Sequence, residues 1–167
     1  MRNTIWIAIC SFLFLVACKK EGVNPTNCRS GKCTYEMFEN SQLAVTLGTF
    51  PGEGFVDIES GDHRVFQYSY EANDNPRISD DEYWEDIYFE IPSDVEEFEY
   101  RDAEMLDQNL VFQPSCFCLI ETVLITKGSI KGKRLSDNRW EIEMDIAFEW
   151  GESEEDRKFK ADFELVQ

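Results

Sequence analysis

Between Trp140 and Trp150 the chain alternates with period two. Trp140, Ile142, Met144, Ile146, Phe148 and Trp150 are large and apolar, and the residues between them are Glu141, Glu143, Asp145, Ala147 and Glu149. Side chains on a strand point to opposite faces in turn, so this segment predicts a strand with one buried and one wet face. Phe159, Ala161, Phe163 and Leu165 alternate with Lys158, Lys160, Asp162 and Glu164 in the same way. The polar run Gly151–Asp156 between the two segments predicts a C-terminal hairpin. Upstream, Leu119–Ile130 is rich in Ile, Val, Leu and Thr, and Ser136–Asn138 links it to the Trp140 strand. The expectation is a three-stranded meander from about residue 119 to the end.

Nearer the start, Phe55–Glu59 and Arg64–Tyr70 predict a second hairpin closed by a turn at Ser60, Gly61 and Asp62. Tyr35–Phe38 and Leu43–Leu47 are candidate partners. Tyr83–Ile91 fits both periods, but Ile87-Tyr88-Phe89-Glu90-Ile91 is β-rich and Pro92 closes it early, which favours a strand. Residues 93–107 fit a short helix or an irregular crossover. Regularly spaced short strands with turn signals predict an all-β fold, an antiparallel β-sandwich or barrel-like meander.

The start of the chain reads as an address. Arg2 is followed by an apolar run from Ile5 to Val16, too short to span a bilayer as a helix and apt for a secretory signal. Leu15-Val16-Ala17-Cys18 resembles the lipobox of bacterial lipoproteins. The resemblance implies cleavage of residues 1–17, lipidation of Cys18 and a domain tethered to the membrane by its lipid. Lys19 next to the cysteine is not aspartate, which by the sorting pattern of Gram-negative lipoproteins implies outer-membrane delivery. The charged start Lys19-Lys20-Glu21 also resembles the mature N-termini of Bacteroidota lipoproteins, some of which reach the cell surface. Residues 18–32 then form the lipidated N-terminus and flexible tether, and residues 33–167 a single β-domain.

Cys28, Cys33, Cys116 and Cys118 remain beyond the signal and the lipidated residue. In an exported protein an even set reads as disulfides. Cys116 and Cys118 stand two apart, where a mutual bridge is strained, so two long-range bridges between the Cys28/Cys33 and Cys116/Cys118 segments are favoured. A four-thiolate zinc site and a redox centre are the alternatives. An oxidising compartment disfavours the first, and the absence of a βαβ pattern the second.

Composition narrows the function classes. The 167 residues carry 34 acidic and 16 basic side chains, a formal net charge of -18. That charge, without a basic stripe, argues against nucleic-acid binding. His63 is the single histidine, which excludes multi-histidine metal catalysis. Ser60, Asp62 and His63 fall within one predicted turn, which cannot hold a catalytic triad on separate rigid elements. Glu141, Glu143, Asp145 and Glu149 lie on the wet face of their strand, where a carboxylate-based hydrolase gains no buried acid.

Two clusters stand as candidate sites. Asp74, Asp80, Asp81 and Glu82 are crowded hard-oxygen ligands suited to calcium, although without the EF-hand order. Trp84 and Tyr88 would face outward beside Asp86 and Glu90 if Ile87, Phe89 and Ile91 point inward, and such aromatics can stack on sugars or anchor a protein partner. The sequence thus predicts a non-catalytic, lipid-anchored envelope protein whose acidic β-domain binds a partner protein or glycan. A carbohydrate-binding accessory lipoprotein of a polysaccharide-uptake system is the alternative, and a carboxylate-based hydrolase the weaker one.

Overall fold

The computed structural model describes residues 28, 31–48, 53–73, 77, 82–116 and 122–166. Nine strands occur in it: β1 (Gly31–Thr46), β2 (Phe55–Ala72), β3 (Tyr83–Pro92), β4 (Glu97–Arg101), β5 (Val111–Cys116), β6 (Val123–Leu124), β7 (Lys127–Ser136), β8 (Arg139–Trp150) and β9 (Ser153–Leu165). A 3-10 helix over Asp102–Gln108 separates β4 from β5. The strands form one sheet in the order β4-β7-β8-β9-β1-β2-β3-β5-β6. Each neighbouring pair is antiparallel except β1 and β9, which run parallel through Glu36–Glu164 and Met37–Leu165. The all-β expectation holds, as a single open sheet with that one parallel pairing.

The sheet curls until its two halves face each other, because each half has one apolar face to bury. Phe66 of β2 stacks on Phe89 of β3 and meets Trp140 of β8 edge-on, with ring centroids 5.6 Å apart. At the other end of the enclosed core Phe112 of β5 lies 4.5 Å from Phe148 of β8, centroid to centroid. The alternation read in β8 is realised: Trp140, Ile142, Met144, Ile146 and Phe148 are buried, and Trp150 at the strand end is partly buried against the core. On its wet face Glu141, Glu143 and Asp145 pair across strands with Lys160, Lys131 and Lys158. These pairs keep the exposed surface from repelling itself, although each contributes little stability.

An arginine closes each mouth of the curl. Arg64 donates from Nε to Glu39 Oε1 at 2.7 Å and lies 4.9 Å from the centroid of the Trp140 ring. Its remaining nitrogens reach the carbonyls of Ser93 and Val95, both at 3.3 Å, which pins the segment crossing from β3 to β4. At the opposite mouth Arg157 grips Glu85 with two hydrogen bonds, Nε to Oε1 at 2.7 Å and Nη2 to Oε2 at 2.6 Å.

Three expectations need correction. The turn at Ser60, Gly61 and Asp62 is absent: β2 runs unbroken from Phe55 to Ala72 and pairs with β1 over nearly its whole length. Ser41 faces both Ser60 and His63, so Gly61 and Asp62 form a bulge that bends the ribbon without reversing the chain. A Cβ at Gly61 would stand 2.6 Å from that of Gln42, so the bend needs glycine there. Second, the Leu119–Ile130 segment yields two strands: β6 pairs with β5, and the meander begins only at Lys127. Third, strand pairing starts at Gly31, inside the segment read as tether.

Two further bounds move: β4 (Glu97–Arg101) occupies part of the 93–107 segment read as helix or crossover, and β9 begins at Ser153, inside the run Gly151–Asp156 read as a turn. Tyr83–Ile91 is a strand, Tyr35–Phe38 and Leu43–Thr46 both pair with β2, and the 3-10 helix falls within 93–107 apart from its last residue. What the sequence did not show is the double crossing. After β3 the chain passes to the far edge of the sheet to form β4, then returns through the helix to β5 beside β3. Met105 and Leu110, both fully buried, seal that return.

Candidate functional site

The register of β1, β2, β3 and β5 sets out the outer face of this half of the sheet as a grid. One row reads Lys32, Glu71, Trp84, Ser115 and the next Thr34, Ser69, Asp86, Gln113. A third row holds Glu36, Gln67, Tyr88 and Val111. Cross-strand neighbours on one face lie roughly 5 Å apart, so these side chains form a continuous surface. A shallow groove of about 340 Å³ runs over Lys32, Thr34, Ser69, Glu71, Trp84, Asp86 and Ser115.

The floor of the groove is rigid. Gln67 Nε2 lies 3.0 Å from Asp86 Oδ1 and 3.1 Å from both Ser69 Oγ and the Tyr88 hydroxyl, its two protons shared among the three acceptors. Ser69 also donates to Asp86. Trp84, at 40% exposed, stands at the head of this network with part of its ring in solvent. Such an arrangement presents an aromatic platform beside fixed hydrogen-bonding groups, a combination that suits reversible binding.

Tyr88 departs from expectation. It does lie on the same face as Trp84, but it is 8% exposed, not available to a ligand. The distal part of the β1–β2 ribbon, bent at the Ser41 bulge, folds over this face as an arm. Leu43, Val45, Val56 and Ile58 of the arm pack on Val65, Tyr88 and Val111. Glu90 clasps it: Oε2 accepts the Leu43 backbone N–H at 2.7 Å, and Oε1 accepts from Asn109 Nδ2 at 2.6 Å. Burial pushes the Tyr88 hydroxyl well above the usual tyrosine range, with Asp86, Asp57 and Glu36 adding to the rise. Tyr88 is therefore covered by the arm, and of the two aromatics only Trp84 is exposed in the groove.

The second polar cluster is interior. Glu85 is 1% exposed, and besides Arg157 it accepts from the Tyr83 hydroxyl at 2.7 Å. Arg157 also donates to the Asp156 carbonyl at 2.7 Å and sits over the rings of Phe148 and Phe112. Burial, followed by the charge of Glu85, raises the pKa of Tyr68 and Tyr83 far above the ordinary value. Every polar group here faces another protein group, so the cluster closes the mouth of the fold. Alternation could have flagged it, since Glu85 shares the inward parity of Ile87 and Arg157 that of Phe159.

The cysteines pair locally. Cys28 and Cys33 are joined, with Cα atoms 5.8 Å apart, which rules out the two long-range bridges expected from the sequence. A local bridge needs only the turn held by the Gly31 N–H on the Cys28 carbonyl, whereas β5, which carries Cys116, is separated from β1 by β2 and β3. Cys116 is also disulfide-bonded, to a partner outside the described residues, where Cys118 lies as well. Asp74, Asp80, Asp81 and Cys18, the residue expected to be lipidated, are likewise outside them, while Glu82 is exposed just before β3. Among the described residues no group of three or more His, Cys, Asp or Glu could hold a metal ion. His63 lies on the bulge, its Nδ1 2.7 Å from Asp62 Oδ1, and Ser60 offers it no hydrogen bond. No protein-family model, no curated protein and no solved structure matches the chain.

Proposed function

We propose that this chain is a non-catalytic, lipid-anchored protein of the bacterial outer membrane whose acidic β-domain binds a partner through the face around Trp84. The observation that carries the binding role is the groove: a half-exposed tryptophan beside a floor fixed by Gln67, Ser69 and Asp86. A surface built only for solubility needs no such ordered network beneath an exposed indole. The anchor rests on the resemblance of residues 15–18 to a lipobox. Mass spectrometry of the mature N-terminus tests it; an unlipidated peptide starting elsewhere removes the anchor from the reading.

A glycan-binding role is the second reading, favoured by the hydroxyl, amide and carboxyl groups that lie beside the indole. For the binding role, wild type and Trp84→Ala are compared on a glycan array and against panels of basic, neutral and acidic proteins at matched concentration. Binding of at least one ligand should fall with Trp84→Ala. If no ligand distinguishes the two proteins, the face has no binding role.

A further inference from the structure

The acidic charge is compensated on one half of the molecule and uncompensated on the other. Along β7, β8 and β9 the outer carboxylates Glu141, Glu143 and Asp145 each have a lysine partner on the neighbouring strand. Around the groove, Glu36, Glu71 and Asp86 form no ion pair with any described residue. Among the described residues Lys32 is the one basic side chain lining it. The arm brings Asp57 near the same surface, close enough for its charge to act on the Tyr88 hydroxyl.

We infer that the Trp84 groove receives an arginine side chain from a basic polypeptide, the indole stacking on the guanidinium while Glu71 and Asp86 neutralise it. The inference rests on the binding role proposed above and names its ligand. Glu71 is the direct cross-strand neighbour of Trp84, and Asp86 follows two residues along on the same face of β3. Both carboxylates therefore flank the ring at the distance at which a stacked guanidinium can meet them. Asp86 Oδ1 accepts from Gln67 and Ser69, and the Tyr88 hydroxyl also bonds to this carboxylate, so it is held in place beside the ring by neutral donors with no cation opposite it. Arginine suits the site better than lysine, because its planar, weakly hydrated cation both stacks and makes paired hydrogen bonds. A neutral sugar would use the ring but would leave the unpaired carboxylates without a counter-charge.

The probe is an amidated tetra-arginine peptide, with tetra-lysine and a panel of neutral oligosaccharides alongside, measured by calorimetry on the whole domain at about 0.1 M salt, where charges beyond about 10 Å are screened. The variants are Trp84→Ala, Trp84→Phe, Glu71→Gln and, on the far side of the molecule, Glu143→Gln, each checked for an unchanged urea midpoint. Trp84→Ala should weaken tetra-arginine binding by about 2- to 30-fold, and Trp84→Phe should restore part of it. Glu71→Gln should weaken it by about 2- to 5-fold, and Glu143→Gln, which changes net charge equally, should leave it within about 1.5-fold. Tetra-lysine should bind more weakly than tetra-arginine.

Equal losses from Glu71→Gln and Glu143→Gln, with none from Trp84→Ala, would show generic charge attraction and overturn the inference. Oligosaccharide binding that depends on Trp84, without tetra-arginine binding, overturns it and leaves the binding role standing. Loss of neither ligand on Trp84→Ala overturns both.

Discussion

Replacing Glu85 by leucine should destabilise the domain by about 3 kcal/mol, toward the low end of the roughly 3–5 kcal/mol that follows when one partner of a buried ion pair is removed. Two charge-assisted hydrogen bonds, at 2.7 and 2.6 Å, are lost, and the Tyr83 hydroxyl loses its acceptor. The larger cost is Arg157 itself, whose side chain is 4% exposed and stays charged. Burial works against that charge, but hydrogen bonding to and the charge of Glu85 more than offset it and raise its pKa above the usual arginine value. The guanidinium keeps the Asp156 carbonyl at 2.7 Å and Glu155 Oε2 at 3.3 Å, which is why the low end of the range applies. With a urea dependence of about 2 kcal/mol per molar, the midpoint should fall by about 1.5 M.

The same reasoning makes a second, less intuitive demand. Most of that loss is the penalty of a stranded charge, not the net worth of the pair. The triple replacement Glu85→Leu, Arg157→Met and Tyr83→Phe removes the charges and the orphaned hydroxyl together, and should come within about 1 kcal/mol of wild type or exceed it. Urea titrations followed by tryptophan fluorescence, with the slope checked for constancy, measure both. If Glu85→Leu costs less than about 1 kcal/mol, or if the triple variant is as unstable as the single one, the account of this mouth as a paired, desolvated plug is wrong.

Three other outcomes are expected. Glu90→Ala should release the arm: the Leu43 amide, held by Glu90 Oε2, should lose hydrogen-exchange protection while the β8 amides keep theirs, at a cost of about 2–4 kcal/mol for two charge-assisted bonds. Burial raises the pKa of Tyr35, Tyr68, Tyr83, Tyr88 and Tyr100, so these phenols ionise more readily unfolded than folded. The folded state then holds more protons above pH 10, so stability is unaffected below the ordinary tyrosine pKa and falls as pH rises beyond it; unfolding midpoints at pH 9 and pH 11, with tyrosinate absorbance, check this. Peptide mapping without reduction should recover Cys28 linked to Cys33, and breaking that short loop with Cys28→Ser should cost about 2 kcal/mol, against more than 4 kcal/mol for a bridge closing about 85 residues.

What the sequence determined by itself is local: which residues are strands and which side of each strand is wet. Period two survives any arrangement of neighbours, so β8, β9 and the inward set of β3 could be read directly, and with them the outward position of Trp84. The same local reading failed at Ser60–Asp62, because a bulge and a turn use the same small and polar residues, and only the partner strand decides whether the chain reverses. It failed for Tyr88 because burial on the outer face depends on a distant arm, held by a hydrogen bond between Leu43 and Glu90 that no spacing announces. Tertiary structure also decided the fate of the acids. Whether a carboxylate has a lysine opposite is a matter of register between strands far apart in sequence. The net charge of -18 could therefore be counted from the sequence, while its division into a compensated face and an open one appears only after the sheet has paired.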